Sequence, residues 1–372
     1  MSMLEVDKVS KLYKSGTFGG GLKAALRQVS FGIDRGEVVS LIGESGSGKS
    51  TLGKIILRLV TCSSGQIRFE GTDITTLKGH SLHEYYRYVQ GVFQDPFSSY
   101  NPLYKVDRVF EMVRKEFFPH LSDGEWSTRL ESALEAVSLN PGDVLNKFPH
   151  QLSGGQQQRV LVARALLLDI RLLIADEIIS MLDASTRVDV LNMLVSLKKK
   201  GLGILFITHD LSLGNYISDR TIILRHGAVV EMGLTPLVFG NPQHSYTAGL
   251  LKAVPQLHRR WEETDIDALL AMDNSVVVPA GLGLAPGQSQ VASRRYSKSP
   301  FSPLRGAKKA KVELPAGDDG APRPSLLDIE DAPWQRGPIR GMSPSKLGKF
   351  LLKQEPPTLV EVEDGHFVAS EN

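Results

Sequence analysis

The chain has 372 residues, a formal net charge of +2 and a 41% hydrophobic content, which is enough for a core of one or two domains. A charge this close to neutral gives no electrostatic argument for a nucleic-acid partner. The single cysteine, Cys62, excludes an internal disulfide and any multi-cysteine metal or iron–sulfur site. No apolar run is long enough for a membrane span, and no signal peptide is evident, so we expect the chain to be soluble by itself.

The chain begins with two predicted strands, Leu4 to Lys14 and Ala24 to Ile33, joined by a glycine-rich loop. Tyr13 lies at the end of the first strand. It is either a half-buried strand aromatic or a platform on which an adenine ring stacks, and the residue alone does not decide between the two.

The stretch from Val38 to Thr51, VVSLIGESGSGKST, combines a buried strand, the pattern G-x-x-x-x-G-K-[ST] and an apolar helix start. In such a loop the backbone N–H groups and the helix N-terminus surround phosphate oxygens. Lys49 is expected to neutralise the β- and γ-phosphates, and the Ser50 hydroxyl to ligate Mg²⁺. The predicted phosphate-binding residues are Gly43, Glu44, Ser45, Gly46, Ser47, Gly48, Lys49, Ser50 and Thr51.

Two short strands are predicted next, Gln66 to Glu70 and Tyr88 to Phe93, and the second ends at Gln94. A glutamine at this point can reach a metal-bound water. From Asn101 to about Pro149 the apolar residues follow helical spacing, which predicts the core of a small helical subdomain over about 96–165.

The string LSGGQ, Leu152 to Gln156, precedes another apolar helix. Ser153 and Gln156 have the spacing of a capping box, and Gly154 and Gly155 leave backbone N–H groups open to an anion. The alternative is a plain capped helix, but this string is rare by chance, which favours the anion site.

Acidic and imidazole side chains follow two further buried strands. Asp176 and Glu177 come after the strand that ends at Ala175, where Mg²⁺ is held and a general base can reach an attacking water. His209 follows the strand Gly203 to Thr208 and can donate to a γ-phosphate.

Strands alternate with helices and every motif follows a strand, which predicts an α/β fold with a mostly parallel sheet of the P-loop NTPase (RecA-like) type. An N-terminal antiparallel β-subdomain, the helical subdomain, a hairpin at Thr221 to Met232 and an irregular C-terminal extension complete it.

The ordered set of motifs, from the P-loop through Gln94, LSGGQ, Asp176–Glu177 and the loop at Asp183 to His209, resembles the nucleotide-binding domain of an ATP-binding-cassette (ABC) ATPase. The resemblance covers Met3 to about Leu257 and implies ATP and Mg²⁺ as ligands. In that family two such domains face each other head to tail. Ser153, Gly154 and Gly155, with Gln156, would then act on the partner's ATP.

Three stretches resemble the peptide/nickel importer branch, and the letters STLG resemble the second of its two ATPase subunits. They are Glu44 to Gly53, Val92 to Pro102 and Asn241 to Pro255. The resemblance implies a peripheral subunit at the cytoplasmic face of the membrane, bound to a second ABC ATPase subunit and two transmembrane permease subunits, and indirectly to a solute-binding protein. A peptide is the expected solute, with nickel or an oligosaccharide as alternatives.

The sequence departs from that branch at three places. Ile178-Ile179 stands where Pro-Thr is usual, Met181 replaces a small residue, and Ser370 replaces a common cysteine, so no iron–sulfur cluster is expected. A non-hydrolysing partner subunit is the alternative that Ile178-Ile179 supports.

The sequence predicts three regions: 1–257, the nucleotide-binding domain; 258–346, a proline- and glycine-rich linker; and 347–372, a segment resembling the branch's C-terminal ending. The linker composition favours a solvated segment over a nucleic-acid-binding tail. The last segment is apolar enough to dock on its own domain or on the partner.

Two other classes of ABC protein are weighed against the importer. Soluble members in translation carry two cassettes in one chain, and members in DNA repair carry long heptad coiled coils, neither of which is seen here. A sugar importer's ATPase with a regulatory β-domain would need regularly spaced strand patterns in the tail. The proline-rich tail has no such patterns, which argues against this class.

Overall fold

The computed structural model describes residues 2–14, 22–253 and 357–369. The predictions made for 258–346, for Ser370 and for the glycine-rich loop after Lys14 fall outside these residues. The strands are β1 (Leu4–Lys14), β2 (Leu22–Ile33), β3 (Val38–Ile42), β4 (Ser64–Phe69), β5 (Thr72–Asp73), β6 (Val89–Val92), β7 (Leu172–Asp176), β8 (Gly203–Thr208), β9 (Arg220–Arg225), β10 (Ala228–Leu234), β11 (Leu359–Glu363) and β12 (His366–Ala369). The helices are α1 (Lys49–Ile56), α2 (Gly79–Tyr88), α3 (Asp107–Phe117), α4 (Asp123–Ala136), α5 (Pro141–Val144), α6 (Gly154–Leu166), α7 (Ala184–Lys199), α8 (Leu211–Ile217), α9 (Thr235–Gly240) and α10 (Ser245–Lys252).

The N-terminal strands form the predicted antiparallel subdomain, a four-stranded sheet in the order β2-β1-β4-β5. Leu4 pairs with Ile33 on one side and with Phe69 on the other, and all three are buried. The apolar positions of β1 therefore face the core that this sheet shares with α1, as their alternation predicts.

The main sheet has eight strands in the order β11-β12-β10-β9-β3-β8-β7-β6. The strands β6, β7, β8, β3 and β9 are parallel, which confirms the predicted α/β P-loop fold. All five residues of β3 are buried, because layers cover both faces of the sheet at its centre. The remaining three strands pair antiparallel at one edge.

The helical segment between β6 and β7 packs against the main sheet through α6. The apolar residues with predicted helical spacing lie on α3 and α4, where Phe110, Trp126 and Leu134 are buried. A capping box between Ser122 and Glu125 sets the start of α4. No helix in the three described ranges combines the length and apolar character of a membrane span.

The C-terminal hairpin of β11 and β12 adds to the edge of the chain's own sheet. Glu231 and Met232 of β10 pair with Val368 and Phe367 of β12. At this junction His366 Nε2 lies 2.7 Å from Glu231 Oε1, and both side chains are fully buried. Of the two docking sites that the sequence left open, the structure shows the chain's own domain.

Candidate active site

The P-loop connects the central strand β3 to α1, so its residues lie at the carboxyl edge of the parallel sheet. Gly48 adopts φ +110°, and a Cβ there would lie 2.4 Å from the carbonyl oxygen of Ala25. Only glycine fits this position without a shift of backbone. The loop can therefore press closely against β2.

Lys49 is buried, and its ammonium group lies inside the loop. It donates to the carbonyl oxygens of Gly43 at 2.7 Å and Glu44 at 2.8 Å. Burial lowers the pKa of Lys49, and the nearby carboxylates of Glu177 and Asp176 oppose that shift. The site thus holds a partly desolvated cation beside open backbone donors, an environment that favours a polyphosphate anion.

The two acids at the carboxyl end of β7, Asp176 and Glu177, occupy different environments. Asp176 is buried, accepts from the Ser50 hydroxyl at 3.2 Å, and has its pKa raised by burial. Glu177 adopts φ +51°, a strained conformation for a non-glycine residue, and its N–H donates to the Ile207 carbonyl at 2.9 Å. Its carboxylate lies 3.1 Å from His209 Nδ1.

One cavity of about 670 Å³ brings most of the predicted residues together, and a volume of this size suits a nucleotide-sized ligand. Asp176 does not line this cavity, but its carboxyl group is hydrogen-bonded to the hydroxyl of Ser50, which does. A larger cavity of about 870 Å³ lies elsewhere, at the amino ends of β7 and β8, and none of the motif residues lines it. The smaller cavity is lined by Tyr13, Lys23, Ala25, Ser45, Gly46, Gly48, Lys49, Ser50, Thr51, Gln94, Glu177 and His209.

The donor set at the cavity fits a nucleotide with Mg²⁺. The Ser47 hydroxyl is buried and finds no hydrogen-bond partner among the described residues, and Gly46 faces open space. The described ranges hold no cluster of three His, Cys, Asp or Glu side chains suited to a metal. A metal here would rely on Asp176, the Ser50 hydroxyl and the Gln94 amide together with phosphate oxygens, which is the ligand set that Mg²⁺ accepts.

The LSGGQ residues lie apart from this cavity. Ser153 caps α6 through the predicted capping box with Gln156, and Gly154 and Gly155 form the first turn. A Cβ on Gly155 would lie 2.2 Å from Thr186 Cγ2, so glycine allows α6 to approach α7 closely.

Asp183 caps α7, where it accepts from the Thr186 N–H at 3.0 Å and from the Ser185 and Thr186 hydroxyls. These hydrogen bonds hold the pKa of Asp183 well below its usual range. Like the LSGGQ residues, it does not line the cavity, so a single chain does not bring these six residues to its own P-loop.

Comparison with known proteins identifies the family. Residues 26–180 match the family model described as ABC transporter. A Brucella ovis protein named for peptide import and ATP binding is 42% identical over 254 residues, 68% of this chain and 78% of that protein. This chain belongs to the ABC transporter ATPases.

Two further comparisons support this assignment. The oligopeptide transport ATP-binding protein OppF of Streptococcus mutans is 41% identical over 255 residues, 68% of this chain and 82% of that protein. The dimeric ATP-binding cassette MJ0796, solved in a post-hydrolysis state with ADP and Pi, is 30% identical with a TM-score of 0.56. That match covers 63% of this chain and 99% of the other. The predicted family and fold are confirmed, and with them the prediction that this chain is an ATP-binding ATPase.

The departures of this ABC ATPase from the usual pattern leave the acids in place. Ile178 and Ile179 are buried in the core beneath the loop, while Met181 is exposed. Glu177 still lines the cavity, so the Ile178-Ile179 pair does not remove the carboxylate from the site.

The sequence analysis missed three residues at the site of this ABC ATPase, namely Lys23, Ala25 and Tyr246. Lys23 lines the cavity because it pairs with Tyr13 across β1 and β2. Tyr246 of α10 reaches the backbone of Glu44. Only strand register could have indicated the lysine, and no local signal marks the tyrosine.

Proposed function

We propose that this chain is the ATP-hydrolysing subunit of an ABC importer that takes up a peptide through partner membrane subunits. The observation that carries the proposal is the convergence of Lys49, Gln94, Glu177 and His209 on one cavity beside the P-loop. The names of the relatives, which refer to peptide import and oligopeptide transport, supply the solute class.

Each side chain of the cavity is proposed to have one role in hydrolysis. Tyr13 stacks on the adenine, and Lys49 with the loop N–H groups holds the β- and γ-phosphates. Glu177 takes the proton of the attacking water as the water oxygen bonds to the γ-phosphorus. The bond between the γ-phosphorus and the β,γ-bridging oxygen breaks in the same step, and ADP leaves with that oxygen. His209, hydrogen-bonded to Glu177, orients that carboxylate and contacts the γ-phosphate.

Ser50, Gln94 and Asp176 are proposed to hold Mg²⁺ with the phosphates. When bound, the ion neutralises the charge of the phosphate oxygens. The partly buried Ser50–Asp176 hydrogen bond supports this assignment, because it places a hydroxyl and a carboxylate side by side next to the phosphate-binding loop.

A second ABC ATPase subunit is proposed to complete each ATP site. The exposed N-terminus of α6, with Ser153, Gly154, Gly155 and Gln156, and the loop at Asp183 would face the partner's P-loop. The support is that these motif residues lie outside the cavity of their own chain, while the similar cassette MJ0796 is a dimer.

Two permease subunits are proposed to bind the helical subdomain and place the chain at the cytoplasmic face of the membrane. The stretch 103–112, beyond the loop of Gln94, exposes apolar side chains: Leu103 is 80% and Met112 61% exposed. Apolar side chains clustered on a surface are typical of protein interfaces.

We expect Leu103→Asp to weaken permease binding about tenfold or more, since a charge would enter the apolar contact. Binding is measured as the fraction of permease retained by the immobilised subunit, and ATP binding should be unchanged. Leu59→Asp is the control, because Leu59 is also an exposed leucine but lies outside the 103–112 stretch. Equal retention by both variants would place the permease contact elsewhere.

The proposed function is tested by purifying this chain in detergent from its native membranes, with ATP and Mg²⁺, and identifying the chains that come with it. Two multi-span proteins and a second cassette are expected, and an accompanying solute-binding protein would identify the solute. Ribosomal or DNA-repair partners without a membrane protein would overturn the importer proposal.

A further inference from the structure

Tyr246 connects the C-terminal part of the domain to the P-loop. It lies in the first turn of α10, is only 8% exposed, and packs with its ring 4.7 Å from the Arg225 guanidinium. Its hydroxyl oxygen accepts a hydrogen bond from the Glu44 N–H at 3.3 Å. The contact joins residues that are 202 positions apart in the chain.

The peptide unit that Tyr246 binds is the one that also binds the P-loop lysine. The N–H of Glu44 and the C=O of Gly43 belong to a single planar peptide group. That C=O accepts from Lys49 Nζ at 2.7 Å, and the next carbonyl, of Glu44, accepts from it at 2.8 Å. The tyrosine hydroxyl and the lysine ammonium therefore bind the same peptide group, one at its N–H and the other at its C=O.

The start of α10 is itself anchored to the sheet by a buried carboxyl group. Glu231 of β10 accepts from the backbone N–H groups of Gln243 at 2.9 Å and His244 at 3.2 Å. The imidazole of His244 accepts in turn from the Tyr246 N–H at 3.0 Å. The third partner of Glu231 is His366 of the C-terminal hairpin, so hairpin and α10 share one anchor.

We propose that Tyr246 is a positioning residue for ATP binding, acting through the Gly43–Glu44 peptide on Lys49. By fixing the orientation of this peptide group, the hydroxyl keeps the lysine ammonium in position to contact the β- and γ-phosphates. The inference rests on ATP binding at this P-loop. Tyr246 follows His209, the last of the predicted motif residues, so this part of the chain also contacts the P-loop.

Packing alone does not account for a tyrosine here. A phenylalanine would fill the same space and keep the contact with Arg225, whereas only the hydroxyl reaches the loop. Burial and the neighbouring Glu44 raise the pKa of Tyr246 to about 12, so the group stays a neutral hydroxyl near pH 7. As a neutral hydroxyl it can accept from the loop without placing a second charge beside Lys49.

The test is Tyr246→Phe in the full-length chain, with Kd values for ATP and ADP measured by calorimetry in the presence of Mg²⁺. We expect the Kd for ATP to rise about three- to tenfold, the usual effect of one hydrogen bond. The Kd for ADP should rise less, because ADP lacks the γ-phosphate that Lys49 also contacts. A purely structural role would weaken both nucleotides equally.

Tyr216→Phe is the matched control, since Tyr216 is an exposed tyrosine whose hydroxyl donates to the Asn192 side chain at 3.0 Å, away from the P-loop. The control should bind both nucleotides as the wild type does. Unchanged ATP binding by Tyr246→Phe, or an equal loss for ATP and ADP, would overturn the positioning role. Failure of the wild type to bind ATP would instead contradict the proposed function.

Discussion

Glu177→Gln is expected to bind ATP with near-normal affinity and to lose turnover by about 10²- to 10⁴-fold, the range of general-base catalysis. An amide has the shape of the carboxyl group and can still hydrogen-bond His209, 3.1 Å away, but it cannot take the proton of the attacking water. Because hydrolysis stops after ATP has bound, the dimer in which each ATP lies between two ABC ATPase subunits should accumulate.

Phosphate release and light scattering after gel filtration with Mg²⁺-ATP measure the two effects of Glu177→Gln. Glu363→Gln makes the same chemical change on β11, where the carboxylate accepts from the Asn241 side chain at 2.8 Å, and should hydrolyse ATP normally. Turnover that survives in Glu177→Gln would show that another group is the base. In that case His209, which lines the same cavity, is the next candidate to substitute.

The local parts of the site were predictable because their signals are local. The strand Gly203–Thr208 has the bounds that its apolar run predicts, and the capping box of Ser153 and Gln156 forms as its spacing predicts. Likewise, the P-loop lies between a strand and a helix because the apolar runs on either side differ in period. Each of these features depends on fewer than about fifteen consecutive residues.

Two of the features that sequence reasoning missed depend on long-range contacts. The pairing of Tyr13 with Lys23 depends on the register of β1 against β2, which has several irregular shifts. The Tyr246–Glu44 contact depends on where α10 packs, and no residue type near it marks such a contact. The helix α2, in which only Tyr85 is buried, was also missed.

The position of the C-terminal hairpin also depends on a long-range contact, its pairing with β10, which no local pattern in the sequence indicates. Its strands are short, and only two residue pairs join β12 to β10. Strand pairing this limited is weak by itself. We therefore expect the hairpin to depend on the buried contact between Glu231 and His366, residues that are 135 positions apart.

His366→Leu is expected to destabilise the domain by about 3 kcal/mol, as the loss of one partner of a buried pair does. Leucine fills much of the imidazole volume but donates nothing, so the Glu231 carboxyl group keeps only the N–H groups of Gln243 and His244. Urea unfolding of the full-length chain measures the loss, and hydrogen exchange should show faster exchange across residues 357–369. Val360→Thr, on an exposed position of β11, is the control and should leave the midpoint within about 0.5 kcal/mol of the wild type. If His366→Leu unfolds at the same urea concentration as this control, the buried pair does not hold the hairpin, and its apolar contacts near Ala369 must do so instead.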